Sequence, residues 1–545
     1  MHPIDDLIRT IPAFREGIPM KARFCTLFFF VLVFQFSSGI YMASAHEMVG
    51  GKALMHGDIQ MAFEASFVGM CMIFPVLFRL KFRFTSRTIF LTVSCGLIIC
   101  NLICMYARSL PVLVGVCFIA GAMRMWGTFE CFSSIQLRIT PTRNFAVFFP
   151  FIYSVIFGCV QLSGLVTVYL SRFYEWQYMH ILIVGLLLVV IGLSRFMLRP
   201  FHVEKPLPLS GIDWLGGILW CIVLLLAVFV CEYGEFYDWT DSAHIRMALF
   251  AALLFMLLNV YRMWNIKNPY IEPKAFAYPH VAAMLFMYMM LSLLTATSSV
   301  LENAFTGEIL HYDALNGASL NWARLAGVVA GGLFTWQACV RFHISYKVIV
   351  FIGFALLSAY QLIFYFLISP DVNIELFRLP LILKSAGTVT LYAVLTVYAA
   401  QIVPFQRLFQ VFCIMGFIRE GIGLPIATAC VGRLLKIRCQ ANYLSLSGEL
   451  DAQNLLTGQM SPNTLYGHLQ CQSLLVSIKE IFGYAVFLGI LILFAALLTK
   501  YPAIRKYVRM PVFSLSRRLQ EIKIFHRPRY TVEELLKGKR KGKEE

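Results

Sequence analysis

Charged side chains are scarce in this sequence. Of its 545 residues only 14% are Asp, Glu, Lys or Arg, whereas 59% are hydrophobic. An ordinary soluble domain is about a quarter charged, and so few charges cannot cover the surface of a soluble protein of this length. The shortage excludes an ordinary soluble domain and indicates a surface that faces lipid.

Motifs that would bring in a cofactor are also missing. The sequence has no phosphate-binding glycine loop, no CxxC spacing and no His-rich tract. We therefore predict no cofactor, no metal site and no nucleotide hydrolysis as a driving force. Most of the 15 cysteines lie in apolar runs, where a thiol behaves as a small hydrophobe. Cys439 and Cys471 share a hydrophilic segment instead, and the sequence leaves open whether they pair.

Apolar runs of about 20 residues dominate what is present, and that length spans a hydrocarbon core of roughly 30 Å as a helix. A β-barrel is a poor alternative because the runs do not alternate polar and apolar residues. The first run lacks a small-residue cleavage site, so we expect a retained helix. We predict an all-α integral membrane protein with transmembrane helices near 23–43, 59–79, 87–107, 111–137, 145–170, 178–198, 212–234, 245–264, 279–303, 313–337, 345–368, 379–401, 407–432 and 475–499.

The distribution of the basic residues predicts the orientation of the protein in the membrane. With residue 1 in the cytoplasm, the inner connections and the two termini carry about 33 of the 46 Lys and Arg, and the outer connections carry about 8. This asymmetry predicts that both termini are cytoplasmic, and it accounts for the net charge of +17 without a nucleic-acid partner. The basic tail at 500–545 is expected to be solvated or to bind lipid headgroups, with a regulatory docking site as the alternative.

Several segments resemble one family of membrane transporters. The basic loop FRLKFRFTSR resembles the signature loop of the major facilitator superfamily, and the remaining segments resemble the fourteen-helix branch of that family, the drug:proton antiporters of the multidrug-efflux type. The weight lies in the order and spacing of these segments. They lie at 58–91, 78–87, 174–182, 212–220, 233–241 and 418–423.

The resemblance implies two six-helix bundles, at 23–198 and 279–499, separated by a linker at 199–278 that contains an inserted helix pair. A cytoplasmic N-terminus at 1–22 precedes them, and a long outer loop at 433–474 interrupts the second bundle. It further implies a secondary transporter in the bacterial inner membrane that exports a small solute with proton coupling. Some relatives use a periplasmic adaptor partner.

The sequence departs from the family pattern at the positions that carry its mechanism. Phe78 and Phe82 replace the Gly and Asp of the signature loop, so the gating loop must work differently here. Cys117 falls where the family has an Arg, and the antiporter signature is reduced to GCVQLSG at 158–164, without its proline. Gln35 stands about where the family often has an aspartate. These departures weaken the expectation of proton antiport.

Ionisable residues within the predicted helices are candidate site residues, since a charge at bilayer depth costs about 2.5–3.5 kcal/mol. In the family, the first and fourth helices of each bundle line the cavity, which here places Arg124, Glu130, Lys384 and Glu302 near the transport path. We expect Arg124 and Lys384 to face each other and bind an anionic substrate. Alternatively, each pairs with an acid. The whole set is Glu64, Arg124, Glu130, Glu232, Glu302, Arg324, Lys384, Arg419, Glu420, Lys479 and Glu480.

Glu64 is the main candidate for a proton carrier and Glu130 the second, because burial favours a carboxyl that can take up protons. A fixed salt bridge between Glu64 and Arg124 is the alternative. Arg419-Glu420 and Lys479-Glu480 are adjacent residues, which point about 100° apart on a helix. We expect them to bridge to neighbouring helices rather than to each other. The basic gating loop comprises Arg79, Lys81, Arg83 and Arg87.

The preferred prediction is therefore a secondary transporter that exports a small amphipathic or anionic compound by alternating access. One alternative is an uptake or facilitated-diffusion carrier without proton coupling. A membrane-embedded transferase is another, but it would need catalytic His and Asp near one interface. The histidines, such as His46, His56 and His311, are instead scattered over the predicted outer loops. A receptor-like or structural membrane protein is the third alternative.

Overall fold

The computed structural model describes residues 14–15, 17–140, 144–200, 209–276, 278, 280–450 and 460–499. The predicted basic tail at 500–545 and most of the N-terminal segment lie outside these ranges. Within them the chain is built from helices, and its strand-like pairing is an isolated bridge between Phe14 and Leu198.

Seventeen α-helices of eight residues or more form the described part of the chain. In order, they are Met20–Phe36 (α1), Ala45–Lys52 (α2), His56–Met72 (α3), Phe74–Arg83 (α4), Ser86–Tyr106 (α5), Leu110–Ile139 (α6), Phe145–Phe173 (α7), Gln177–Met197 (α8), Trp214–Tyr233 (α9), Ala243–Asn265 (α10), Val281–Ala304 (α11), Ala314–Trp336 (α12), Tyr346–Leu367 (α13), Arg378–Ile402 (α14), Phe405–Gly416 (α15), Gly423–Gly448 (α16) and Pro462–Leu498 (α17).

The helices fit the predicted transmembrane segments. Twelve helical spans in the described ranges are long and apolar enough to cross a membrane, and the pair α3–α4, bent by 60°, makes a thirteenth. With its 17 residues, α1 reaches the shortest length that spans a bilayer. The predicted count of about fourteen is thus confirmed. The break between α3 and α4 was not predicted, and Pro75 in the first turn of α4 accompanies it.

Contacts between the segments that connect the helices show which helix ends lie at the same face of the protein. At one end the Lys52 ammonium donates to the Ala107 carbonyl at 2.9 Å, and the Tyr312 hydroxyl donates to the Val372 carbonyl at 2.7 Å. At the other end the Arg407 guanidinium donates to Glu272 at 2.8 Å. We call these the predicted outer and predicted inner faces.

The helices assemble as two halves with matched packing. In the first half (α1–α8), α3 packs on α6, and α5 packs on both α6 and α8. In the second half (α11–α17), α12 and α13 pack on α14, and α17 packs on both α13 and α16. The halves meet along two seams. One joins α7 to α12 and α14, and the other joins α3 to the turn between α15 and α16. Of the described spans, α14 and α11 are the most buried.

The inserted pair α9–α10 lies outside these halves, and α9 packs on α3. At the two ends of α3, the Tyr233 hydroxyl donates to Asp58 and the Tyr270 hydroxyl donates to the Met72 carbonyl. Between them, the Trp220 ring lies 5.7 Å from the Phe417 ring. Helix α9 therefore covers the second seam, where α3 meets the α15–α16 turn.

One prediction about this half is wrong. The segment 433–474, expected as a long loop because it is rich in polar residues, is helical over most of its length, since α16 continues to Gly448 and α17 begins at Pro462. The two helices hold each other there through polar pairs: Arg438 with Glu480 at 2.8 Å and Asn442 with Ser477 at 2.9 Å. Polar side chains thus stabilise helices that extend beyond the apolar spans.

Candidate functional site

Two glycines bring α3 and α6 into contact at the middle of the first half. A Cβ at Gly69 would overlap the backbone oxygen of Phe118, and one at Gly121 would overlap that of Ser66. Only glycine permits this approach of two backbones. Arg124 lies one turn beyond Gly121, so the helix crossing fixes its side chain against α3.

Arg124 is buried without an acidic partner. It is 6% exposed, its guanidinium contacts the sulfur of Met70 and lies 5.8 Å from the Phe67 ring centre, and its Nε has no hydrogen-bond partner. No carboxylate lies within 4 Å of it among the described ion pairs. The expectation that Arg124 faces Lys384 has no support in these contacts, since the two cations have different neighbours. The alternative that Arg124 is neutralised by Glu64 or Glu130 is wrong.

A second guanidinium, that of Arg419, lies in the turn between α15 and α16. Residues Phe417–Gly421 form a π-helical turn, and within it the Arg419 Nε donates to Glu420 at 2.8 Å. The prediction that these adjacent residues do not pair is therefore wrong, because it assumed regular α-helical geometry. Lys479 and Glu480, in contrast, contact neighbouring helices as predicted.

Tyrosines from both halves surround Arg419. Its guanidinium carbon lies 5.0 Å from the ring centre of Tyr392 on α14 and 5.8 Å from that of Tyr153 on α7. The hydroxyls of Tyr153 and Tyr288 each lie 2.8 Å from the Thr396 hydroxyl. The Phe157 ring stacks on Tyr392 at 5.3 Å. This set, which we call the tyrosine cluster, joins the halves at their interface.

Glu420 connects the two guanidinium groups electrostatically. It is close enough to Arg124 to interact with its charge, and it also interacts with the charge of Glu64. Glu64 is 3% exposed, accepts a hydrogen bond from Gln60 at 3.3 Å, and has no partner at Oε2. The middle of the molecule thus contains a buried cation and a buried carboxyl that both have unused hydrogen-bonding atoms.

Lys384 and Glu302, two predicted site residues, do lie together. The Glu302 carboxylate on α11 accepts from the Lys384 ammonium at 2.7 Å, from the Arg324 guanidinium at 3.1 Å, and from the Tyr360 hydroxyl. The acid that pairs with Lys384 is therefore Glu302, not Glu64 or Glu130. Three helices, α12, α13 and α14, converge on this one carboxylate, which we call the Glu302 cluster.

A cavity of about 270 Å³ adjoins the Glu302 cluster toward the predicted outer face. The second half supplies most of its wall, including Glu302, Asn321 and Arg324, and the first half contributes Ala43 and Val168. The cavity therefore lies between the halves, where a relative movement would change its shape.

Glu130 lies toward the other face, on α6. Its carboxylate accepts from Lys81 at 3.2 Å and from the Ser86 hydroxyl at 2.5 Å, and its side chain is 2% exposed. Lys81 belongs to the predicted gating loop; Arg79 and Arg83 lie with it on α4, and Arg87 lies in the first turn of α5. The structure thus joins Glu130 to the gating loop rather than to Arg124.

Phenylalanines of both halves meet beside this loop. Phe78 on α4 and Phe129 on α6 lie 5.7 and 5.6 Å from Phe409 on α15, and Phe149 on α7 lies 5.7 Å from Phe412. We call this set the phenylalanine cluster. It packs the two halves together near the predicted inner face.

Sequence reasoning missed the tyrosine cluster and the role of Arg419. Tyr153, Tyr288 and Tyr392 lie among many aromatic residues in apolar helices, and no local signal separates them from lipid-facing rings. The pairing of Arg419 depends on the π turn. The one usable signal was the run of Arg419 and Glu420 next to glycines at 416, 421 and 423, a composition that permits an irregular turn.

No family model matches the sequence, and no curated protein sequence does. Solved structures do resemble the fold. A point mutant of the nucleoside transporter NupG aligns with a TM-score of 0.51 at 11% identity, over 86% of this chain and 98% of that one. An auto-inhibited POT family peptide transporter aligns with a TM-score of 0.50 at 11% identity, over 88% and 98%. The chain therefore shares its overall helical fold with these two transporter structures.

Proposed function

We propose that this protein is a secondary transporter that moves a small anionic or amphipathic solute by alternating access of its two halves. The observation that carries the proposal is Arg124, a guanidinium buried at the middle of the first half without an acidic partner. Such a charge costs about 2.5–3.5 kcal/mol in a membrane helix and is retained where it has a function. A bound anion would supply the missing partner.

The surroundings of Arg124 suggest which other groups would contact a solute. Glu420 interacts with Arg124 electrostatically, and the paired Arg419 lies against the rings of the tyrosine cluster. Stacked rings offer an apolar, planar surface for the uncharged part of a solute. The two structural relatives transport nucleosides and peptides according to their descriptions, and both solute classes combine polar groups with flat or apolar parts.

The proposed cycle rocks residues 23–198 against residues 279–499, with 199–278 as the linker that carries the inserted pair. The phenylalanine cluster would separate when the inner face opens, and the cavity above Glu302 would close. We place both termini in the cytoplasm on the charge asymmetry described above. Glu64, whose Oε2 has no partner, is the proposed site of proton coupling.

Export through the drug:proton antiporter branch, in a bacterial inner membrane with a periplasmic adaptor, rests on the sequence resemblance. Uptake is the second candidate, and the structure has a conformation that an uptake cycle requires. The halves are packed together by phenylalanines at the predicted inner face, while a cavity between them reaches the predicted outer face. An importer loads its solute from such a conformation.

Transport by purified protein in proteoliposomes tests the proposal. A panel of radiolabelled carboxylates, nucleosides and dipeptides is offered with and without a pH gradient, to wild type and to Arg124→Gln. Loss of a charged hydrogen bond of about 1.5–3 kcal/mol should lower kcat/KM for an anionic solute roughly 10- to 150-fold. Arg262→Lys is the control, because it keeps a cation beside Asp213, away from the site. Wild-type transport by Arg124→Gln would refute the assignment.

A further inference from the structure

The cavity above Glu302 has the features of a binding site that is separate from Arg124. Its volume of about 270 Å³ holds a small organic molecule. Asn303, Thr306 and Asn321 contribute polar groups to its wall, and Phe364, Phe377 and Leu381 contribute apolar ones. A pocket with a few polar groups on an apolar wall is typical of small-molecule sites.

The charges of the Glu302 cluster leave a surplus of positive charge at this wall. Lys384 and Arg324 carry two positive charges and Glu302 one negative charge, and the Tyr360 hydroxyl shares the same carboxylate. Arg324 is the outermost of these groups, with 28% of its side chain exposed. Its guanidinium contacts Asn321 at 2.6 Å, which holds it at the wall of the cavity.

The acidic residues of the connection between α11 and α12 do not cancel this surplus of positive charge. Glu308 and Asp313 lie in the α11–α12 connection and are exposed, so water and salt screen their charges. The Asp313 carboxylate also accepts a hydrogen bond from the Ala314 amide at the start of α12. The buried cluster is screened far less, so its net charge of one positive unit acts on the adjoining cavity.

We infer that this cavity is a second binding site, an outer vestibule in which Arg324 holds a small carboxylate-bearing molecule before or after it reaches Arg124. The inference rests on the proposed function, since it gives the transported solute a carboxylate and a place to wait at the outer face. Ala43 and Val168 of the first half close one side of the vestibule, so occupancy depends on how the halves are placed.

The charge preference of the vestibule can be measured without knowing the transported solute. Gly317 lines the cavity, and a Cβ added there meets no atom within 4 Å. The test compares the labelling rates of Gly317→Cys by an anionic and a cationic methanethiosulfonate of similar size, read by mass spectrometry of the labelled peptide. Gly467→Cys on α17, also in open space, gives the reference ratio.

We expect the anionic-to-cationic rate ratio at position 317 to exceed the reference roughly tenfold, because Gly317 and Arg324 line the same cavity and the net positive charge there attracts the anionic reagent and repels the cationic one. Arg324→Gln should return the ratio to the reference, whereas Arg324→Lys should preserve it and so exclude misfolding as the cause. Sodium benzoate should slow the labelling of Gly317→Cys, and benzamidine, its cationic analogue, should not.

Equal ratios at positions 317 and 467, or a ratio that Arg324→Gln leaves unchanged, would overturn the inference. So would protection by benzamidine rather than benzoate. These labelling rates are read whether or not Arg124→Gln alters transport, so the vestibule and the central site can fail separately.

Discussion

Phe78 of the first half lies 5.7 Å from Phe409 of the second, measured between ring centres. Phe78 is one of the two positions where the resembled family has Gly and Asp in its signature loop. The Phe78 ring therefore provides a contact between the halves within the loop that resembles the signature loop of that family. Phe129, Phe149 and Phe412 extend that contact, so packing of rings holds the inner face together in this protein.

Phe409→Ala should open the predicted inner face. Each aromatic pair contributes about 0.5–1.5 kcal/mol, and Phe409 loses its contacts with both Phe78 and Phe129. We expect a Cys placed at Ser133, beside Lys81, to react with a soluble thiol reagent several times faster in this background. The measurement is the labelling rate in membranes.

Phe366→Ala is the matched control for that experiment, since Phe366 is 73% exposed on α13 and lies outside the phenylalanine cluster. It should leave the labelling rate unchanged. Equal rates in wild type and Phe409→Ala would contradict a closing role for the cluster.

The variant Glu130→Gln distinguishes two roles for Glu130, a latch near the inner face and a contact to the substrate. The carboxylate holds Lys81 and Ser86 near the inner face, so loss of its charge should change kcat by severalfold and leave KM within about twofold. Glu375→Gln, in an exposed pair with Arg378, should change neither constant. A tenfold rise in KM at constant kcat would instead assign Glu130 to substrate binding, as the sequence predicted.

Replacing the two predicted site cations, Lys384 and Arg124, should have different effects on the stability of the protein. Lys384→Met removes a partner of buried Glu302, although Arg324 and Tyr360 remain, so we expect a loss of about 2 kcal/mol in the free energy of unfolding, below the 3–5 kcal/mol of a fully broken pair. Arg124→Met removes a buried charge without an acidic partner and should be neutral or stabilising. Thermal unfolding in detergent measures both. The account fails here if Arg124→Met is the more destabilised variant.

Lys52 gives a prediction for pH. It lies in α2, donates to the Cys104 and Ala107 carbonyls, and lies over the Trp176 ring. Burial lowers its pKa below the ordinary value. Between that lowered pKa and the unfolded value of about 10.4, the unfolded chain binds more protons, so stability rises with pH. The Tm of wild type relative to Lys52→Met should therefore increase from neutral to alkaline pH, and a constant difference would contradict this.

The transmembrane helices could be predicted because lipid imposes a long apolar run on each of them. The bounds of α5, α7 and α13 differ from their predicted spans by about three residues or fewer. Irregular geometry could not be predicted in this way. The break between α3 and α4 and the π turn at 417–421 leave the hydropathy unchanged, and polar helices outside the membrane, such as the ends of α16 and α17, read as loops.

The sequence allowed most residues of the site to be predicted, but only some of their interaction partners. Arg124, Lys384 and Glu302 were recognisable because a charge in an apolar run is costly and conspicuous. Their partners depend on how helices cross. Lys384 meets Glu302 across 82 positions of sequence, while the Arg124 guanidinium lies against Met70 and Phe67. Such neighbours follow from the tertiary packing, which no local pattern specifies.

Movement of the two halves about the central site is the claim on which the account depends. Pairs of spin labels at exposed positions can report it directly: Phe173 with Leu376 at the predicted outer face, and Phe196 with Phe342 at the predicted inner face. The distances between the labels would be measured in lipid nanodiscs for two forms of the labelled protein. One form keeps the phenylalanine cluster intact, and the other carries the double substitution Phe78→Ala, Phe409→Ala. The account predicts that the double variant lengthens the inner distance and shortens the outer one. If both distances change in the same direction, or neither changes, the halves do not alternate.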